Sequence, residues 1–314
     1  EELILEVGFV INCKIALRLV QAFKGKVSVE LHPAVSRNIE RTLHYGRRYF
    51  KVCPEFFIIK VPLTPEGYLA VRKLTQEKIP VNFTLGFSAR QNYLAARLSN
   101  PDFVNVFLGR LNQVVIDHNA GSGDQVGEKV TLATQNALIE AREKYKDVQS
   151  RLIGASVRSG EQVAFLAGLD VLTIPPKAIK EFQESGKFAD QVVSHLAEDI
   201  VPGIDVSHAL AKRFPSLWEM PEAFISFVDA LLAENGLDEM SANELVEFCR
   251  KNDMNLFHPF SDAEFKEIHD HGKIPCLDNW PESIALDDLM TQSALQSFTK
   301  DQNALDDRIR SFLK

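Results

Sequence analysis

Lys60 is the side chain with the clearest capacity for chemistry. It lies in an apolar, β-favouring run at residues 56–62, and a strand this apolar is typical of a parallel sheet that is buried on both faces. Desolvation disfavours a charged ammonium, and a neutral amine is a nucleophile that condenses with ketones. A lysine at the carboxyl end of a barrel strand therefore fits a Schiff-base-forming enzyme. The ordinary alternative is a strand-end lysine that extends to solvent.

Six further polar side chains occupy a similar place in the chain. Each falls in the later part of a predicted strand or in the turn that follows it: Glu30, Asn82, Thr84, Arg110, Ser156 and Arg158. In a parallel barrel the carboxyl ends of the strands form one face, where active sites are built from several strands at once. The two guanidinium groups and the serine suit a phosphate monoester, whereas the remaining groups would surround the amine. The pattern predicts one site with an amine end and a phosphate end.

The elements that must position these residues alternate along the chain. Hydrophobic runs predict six strands, separated by helical patterns, at residues 26–31, 56–62, 80–87, 103–110, 151–156 and 170–175. This alternation is typical of parallel α/β folds. The glycines at residues 121–127 have the wrong spacing for a dinucleotide-binding motif and do not directly follow a strand. We therefore predict a (β/α)8 TIM barrel, with six of its eight strands in this chain and a C-terminal helical extension.

Composition narrows the classes of partner. The 314 residues carry a formal net charge of −8, which argues against nucleic acid or an anionic membrane surface as a partner. No stretch approaches the run of about 18 apolar residues that a membrane span needs. The four cysteines are scattered without a C-x-x-C pair, so we expect reduced thiols in a cytoplasmic protein.

The chain beyond the last strand is longer than a barrel needs. We divide the protein into a barrel at residues 1–182, a helical insertion at 183–286 and a terminal helix at 287–314. S-x-x-E capping boxes at Ser241 and Ser261 predict helices that begin there. His269 and His271 would point to different faces of a helix, so they do not predict a metal site.

Five segments around the polar residues resemble the transaldolase family, a Schiff-base-forming class I group that also includes the fructose-6-phosphate aldolases. In chain order they are Val27-Ser28-Val29-Glu30, Ile58-Ile59-Lys60-Val61-Pro62, the N-x-T-L-x-F-S pattern from Asn82 to Ser88, Val106-Phe107-Leu108-Gly109-Arg110, and Gly154-Ala155-Ser156-Val157-Arg158. Residues 287–314 are similar to the terminal helix of the longer members of the family.

The resemblance implies a mechanism and a role for each residue. Lys60 would form a Schiff base with a ketose phosphate, either fructose 6-phosphate or sedoheptulose 7-phosphate, in the pentose phosphate pathway. A dihydroxyacetone unit would then pass to an aldose phosphate, without any cofactor or metal. Glu30 would move protons through a water held by Thr84, and Asn82 would hold substrate hydroxyls. Phosphate would bind to the remaining residues of the predicted set, which are Arg110, Ser156 and Arg158.

Two positions distinguish the branches of this family. The fructose-6-phosphate aldolases carry glutamine and tyrosine where this chain has Glu30 and Phe107, so both residues favour a transaldolase. Asn105, which would contact donor hydroxyls, stands where the family usually has serine, and Val106 replaces a proline. The resemblance leaves the oligomeric state open, including a homo-oligomer.

The resemblance also departs from the family at one place. The family's first strand carries an acid/base aspartate and its second strand is followed by T-T-N-P, and neither motif occurs in this sequence. The expectation is an N-terminally incomplete transaldolase, an enzyme that lacks two strands in this sequence, with inactivity of this stretch of chain as one expected outcome. The alternatives are a divergent member that takes its acid from Asp117 or His118, a fructose-6-phosphate aldolase-like enzyme, and a non-catalytic phosphosugar-binding protein.

Overall fold

A parallel sheet of six strands organises the chain, whose computed structural model describes residues 1–186 and 192–313. The strands lie side by side in sequence order: β1 (Val27–Glu30), β2 (Phe57–Pro62), β3 (Val81–Thr84), β4 (Phe103–Phe107), β5 (Arg151–Ala155) and β6 (Val171–Leu172). Each neighbouring pair is parallel, and the register places Lys60 beside both Glu30 and Asn82. The predicted α/β fold, with six strands of a barrel, is confirmed.

Helices connect the strands and extend the chain beyond them. They are α1 (Glu2–Phe23), α2 (Ile39–Val52), α3 (Pro65–Gln76), α4 (Ala89–Leu94), α5 (Leu108–Asp117), α6 (Val126–Lys144), α7 (Gly160–Phe165), α8 (Pro176–Glu184), α9 (Glu222–Leu232), α10 (Ala242–Lys251), α11 (Asp262–His271) and α12 (Leu286–Phe312). Across the described residues, 1–186 and 192–313, no helix combines the length and the apolar character that a membrane span requires. The division of the chain near residues 182 and 286 stays a prediction.

The burial of β2 matches its apolar sequence. Phe57 and Ile59 on one face and Ile58 on the other are at most 5% exposed. Helix α3 begins directly after this strand because the Thr64 hydroxyl accepts a hydrogen bond from the backbone N–H of Gly67, with proline at the first helical position. Ser88 caps α4 in the same way. The strand therefore ends where a polar cap turns the chain into a helix.

The predicted strand at residues 103–110 is too long. Strand β4 ends at Phe107, and Leu108 opens the ten-residue helix α5, so Arg110 lies in a helical first turn and not at a strand end. The sequence held a signal for this helix, since Leu108, Leu111 and Val115 recur at helical spacing and are fully buried. Strand β3 is also shorter than predicted, because it ends at Thr84 and the next residue, Leu85, has a left-handed φ of 68°.

Helix α12 crosses the carboxyl edge of the sheet. Near its start, the buried carboxylate of Asp287 accepts hydrogen bonds from the Arg90 guanidinium at 2.8 Å and from the Ser88 hydroxyl at 2.6 Å. Near its end, Asp306 pairs with His32 at 3.0 Å. Ser88 and Arg90 follow β3, whereas His32 follows β1. The helix therefore spans the ends of three neighbouring strands, with Lys60 of β2 between its two attachments.

The helical extension is hydrogen-bonded to the start of α12. Both predicted capping boxes are present, at Ser241 for α10 and Ser261 for α11. Asp288 is buried and accepts hydrogen bonds from the backbone N–H of His258, at 2.7 Å, and from the Gln292 side chain, at 3.1 Å. Burial is the largest influence on this carboxyl and raises its pKa to about 7.

Asp288 makes the stability of the fold dependent on pH. Its pKa in the folded chain lies above the unfolded value of about 3.9, so its stabilising contribution is complete below that value and is lost as pH rises to about 7. In the original protein we expect the free energy of unfolding to fall by up to about 1.4 kcal/mol per pH unit between these two pH values. Asp288→Asn should remove this decline. Urea unfolding at several pH values measures it, with the exposed Asp307→Asn as control. Equal pH slopes in Asp288→Asn and the original protein would contradict the assignment.

Candidate active site

The predicted nucleophile and its predicted proton carrier are in direct contact. Lys60 on β2 and Glu30 on β1 are register partners, and the Lys60 Nζ lies 2.9 Å from the Glu30 Oε2. Their side chains are 21% and 32% exposed. The amine therefore has an ion-pair partner and does not lie in a fully apolar interior. The other oxygen of this carboxylate, Oε1, is buried and has no hydrogen-bond partner in the described part of the chain. Glu30 is therefore within hydrogen-bond reach of the Lys60 amine, as the predicted proton transfer requires.

Amide side chains continue the polar face across the next strands. The Asn105 Nδ2 donates to the Asn82 Oδ1 at 2.7 Å, and the Asn82 Nδ2 donates to the Ser28 hydroxyl at 3.1 Å. The Oδ1 of Asn105 and the hydroxyl of Thr84 are buried and lack protein partners among the residues described. Ser28 was missed by the sequence reasoning, although it lies two residues before Glu30 and therefore on the same face of β1.

The phosphate end of the predicted site forms where α5 begins. A Cβ at Gly109 would fall 2.5 Å from the Arg158 Nε and 3.0 Å from the Ser156 Oγ, so only glycine lets these side chains approach the first turn. Helix α5 begins without a capping bond from its N-cap residue, Phe107, and the dipole of a helix N-terminus favours an anion. Ser156 has a left-handed φ of 64°, which sets the turn after β5. Ser156 and Arg158 thus lie against Gly109, next to Arg110 in the first turn of α5, and their role in binding phosphate stays a prediction.

The Arg110 guanidinium is partly buried and lies near a second cation, Arg158. Its Nη1 is buried and has no hydrogen-bond partner within the described ranges. Burial lowers the pKa of its guanidinium from the ordinary value, and the nearby Arg158 acts in the same direction, against a smaller opposing effect of Asp301. A phosphate bound here would offset the two positive charges, and its oxygens would accept hydrogen bonds from the guanidinium donors.

An aromatic side chain from α12 lies between the two ends of the site. The ring of Phe298 has its centroid 5.5 Å from the Lys60 Nζ and 5.8 Å from the Arg110 Cζ. Phe107, predicted from the sequence, lies 5.7 Å from the same guanidinium carbon. A cavity of about 320 Å³ opens beside Glu30 and Phe298 and is also lined by Asp301 and Gln302. No sequence motif indicated Phe298 or this wall of the cavity.

The alternative acids proposed from the sequence do not reach the site. Asp117 lies at the last residue of α5, the end opposite Arg110, where it accepts a hydrogen bond from Gln113. His118 follows it and bonds to the carbonyl of Val114 and the backbone N–H of Leu277, which ties α5 to the extension. Because a ten-residue helix is about 15 Å long, both side chains lie at the far end of α5 from Arg110, where they make these structural contacts.

The sequence of the chain is similar to those of known proteins of one family. A sequence model of the family described as transaldolase/fructose-6-phosphate aldolase matches residues 2–215. The chain is 32% identical over 184 residues to a probable transaldolase of Hyphomonas neptunium, which covers 58% of this chain and 76% of the relative. It is 35% identical over 155 residues to a probable transaldolase of Phenylobacterium zucineum, covering 49% and 63% of the two chains.

A more distant relative extends the same pattern. The chain is 29% identical over 180 residues to a transaldolase of Chlamydia caviae, which covers 55% of this chain and 54% of the relative. The chain thus spans between about half and three quarters of the length of these three relatives.

Proposed function

This chain belongs to the transaldolase/fructose-6-phosphate aldolase family, and from that premise we propose that it is a transaldolase acting through a Schiff base on Lys60. It would transfer a dihydroxyacetone unit from fructose 6-phosphate or sedoheptulose 7-phosphate to an aldose phosphate. The observation that carries the proposal is the contact of 2.9 Å between Lys60 and Glu30, in the same site as Arg110, whose Nη1 has no hydrogen-bond partner among the described residues. An amine with a proton acceptor and a separate anion receptor is what a phosphorylated ketone requires.

The first half of the proposed reaction uses the amine end of the site. Glu30 takes a proton from Lys60, and the freed amine attacks the C2 carbonyl carbon of the ketose to form a carbinolamine. The proton then leaves with the departing hydroxyl as water, which gives the iminium. The buried oxygens of Thr84 and Asn105 lack partners among the described residues, so they are available to hold water and substrate hydroxyls.

The second half breaks and remakes a carbon–carbon bond. Cleavage between C3 and C4 leaves its electron pair on the iminium as an enamine, and an aldose phosphate departs. The enamine then adds to the aldehyde carbon of the acceptor, and water releases the product from Lys60. Cleavage also requires a base for the C4 hydroxyl proton, a role that the resemblance assigns to an aspartate of the family's first strand. The phosphates of donor and acceptor would bind at Arg110, Ser156 and Arg158.

The fructose-6-phosphate aldolase-like activity is the second candidate. Glu30 and Phe107 favour the transaldolase, since the aldolases resembled by this chain have glutamine and tyrosine there. Cytoplasmic location and a role in the pentose phosphate pathway belong to the same proposal. The four cysteines, Cys13, Cys53, Cys249 and Cys276, are unpaired, which suits a reducing compartment.

Product analysis with and without an acceptor tests the proposal. With fructose 6-phosphate and a four-carbon aldose phosphate, we expect sedoheptulose 7-phosphate and a three-carbon aldose phosphate to form together. Without the acceptor, we expect little free dihydroxyacetone. Accumulation of dihydroxyacetone without acceptor would support the aldolase. Binding of fructose 6-phosphate without any carbon–carbon cleavage would support a phosphosugar-binding protein.

A further inference from the structure

Phe298 is the feature of the site that neither the motifs nor the family match assigns. Its ring borders the Lys60 amine at 5.5 Å and the Arg110 guanidinium carbon at 5.8 Å. The same guanidinium lies 5.7 Å from the Phe107 ring, which comes from the barrel. Arg110 is therefore in contact with two aromatic rings that belong to different parts of the fold.

We propose that Phe298 is a positioning residue that determines specificity for phosphorylated substrates. In this proposal, which rests on the proposed function, the Phe298 ring holds Arg110 in place to bind the phosphate of an open-chain sugar phosphate. The same ring closes the space between this arginine and Lys60. The carbon chain of the sugar would run along the ring, with its carbonyl at the amine and its phosphate at the guanidinium.

The attachment of α12 supports a fixed position for this ring. Before Phe298, the Thr291 hydroxyl donates to the carbonyl of Leu85 at 2.9 Å, and Asp287 binds Arg90. After Phe298, the buried Asp306 binds His32 at 3.0 Å and Gln302 at 2.8 Å. Buried charge-assisted hydrogen bonds on both sides therefore hold the helix to the turns after β3 and β1.

The chemistry of Arg110 explains why an aromatic neighbour matters. A guanidinium attracted to the faces of aromatic rings keeps its N–H donors free at its edge, where phosphate oxygens bind. The buried Nη1 of Arg110 is such a donor, because it has no partner in the part of the chain that is described. Without the Phe298 ring, the arginine would gain rotational freedom that phosphate binding must then restrict. An unphosphorylated ketone does not use this group and would be less affected.

The matched pair of variants is Phe298→Ala and Phe312→Ala. Phe312 lies on the same helix and is 76% exposed, so its removal controls for a general effect on α12. Phe298→Tyr keeps the ring and should restore binding. Borohydride trapping of a ketone on Lys60 is titrated with fructose 6-phosphate and, separately, with dihydroxyacetone. Calorimetric titration with inorganic phosphate measures the arginine end alone, independently of the Schiff base.

For Phe298→Ala we expect about a tenfold rise in the half-saturating concentration of fructose 6-phosphate, with an unchanged plateau of trapped protein. The dissociation constant for phosphate should rise by a similar factor, and the dihydroxyacetone titration should change less than about twofold. Phosphate binding equal to that of Phe312→Ala, or an equal shift for dihydroxyacetone, would overturn the inference. Failure of the unsubstituted protein to trap any ketone would instead overturn the proposed function. The phosphate titration would still test whether Phe298 contributes to phosphate binding.

Discussion

Replacement of Lys60 by alanine is expected to lower the rate of dihydroxyacetone transfer by at least about 10³-fold and to abolish borohydride trapping. The reason is that Lys60 supplies the amine beside Glu30 on which the covalent intermediate would form. Lys60→Arg should be as inactive, since it keeps the positive charge without a nucleophilic amine. The side chain of Lys60 is 21% exposed and sits at the rim of the sheet, so the variant should fold.

The control for this variant is Lys51→Ala, an exposed lysine at the end of α2. It should retain full transfer activity and full trapping. Rates are measured with fructose 6-phosphate and an aldose phosphate acceptor, and circular dichroism checks the fold of each variant. Trapping that persists in Lys60→Ala would place the Schiff base on another lysine and refute the assignment.

Replacement of Glu30 by glutamine is expected to slow the formation of the Schiff base by about 10²-fold, the lower end of the effect of a lost proton acceptor, because the resembled aldolases form a Schiff base with glutamine at this position. Glutamine fills the same space but cannot accept the proton that Lys60 must lose, and the contact of 2.9 Å changes from an ion pair to a neutral hydrogen bond. The plateau of trapped protein after long incubation should still be reached, because Lys60 itself is intact. Stopped-time trapping measures the rate, and the exposed Glu55→Gln is the control. A Glu30→Gln protein that traps as fast as the control would remove Glu30 from the proton transfer.

Much of the fold could be predicted because the apolar pattern is local. The run around Ile58 and Ile59 is buried on both faces in the structure, as its composition indicates. Parallel pairing in sequence order then follows from alternation with helices. Helix α5 was missed because its first residues are as apolar as the preceding strand, and short apolar runs do not separate the two structures. Arg110 therefore lies in a helical first turn, whereas the sequence pattern placed it at a strand end.

The amine end of the site was predictable because strand register brings its residues together. Glu30, Lys60 and Asn82 are register neighbours on three consecutive strands. Phe298 was not predictable in this way, since its position depends on buried contacts between α12 and segments about 200 residues earlier, such as the Ser88–Asp287 hydrogen bond. The sequence pattern of a helix predicts which of its faces is buried. It does not predict which strand ends the helix crosses.

The helical extension, to which the sequence assigned no role, contacts the start of α12. Its backbone at His258 donates to the buried Asp288, at the start of α12. The Arg213 guanidinium, also buried, donates to the carbonyls of Trp280 and Ile284 just before that helix. These contacts connect the extension to the helix that carries Phe298, and thus to the site.

Mass spectrometry of the protein after borohydride reduction in the presence of fructose 6-phosphate tests the central claim most directly. We predict a reduced three-carbon adduct on the peptide that contains Lys60, since the three-carbon fragment stays on the lysine after cleavage. A six-carbon phosphorylated adduct on Lys60 would show a Schiff base without carbon–carbon cleavage, as in a phosphosugar-binding protein. No adduct on Lys60, or an adduct on a different lysine, would contradict the account.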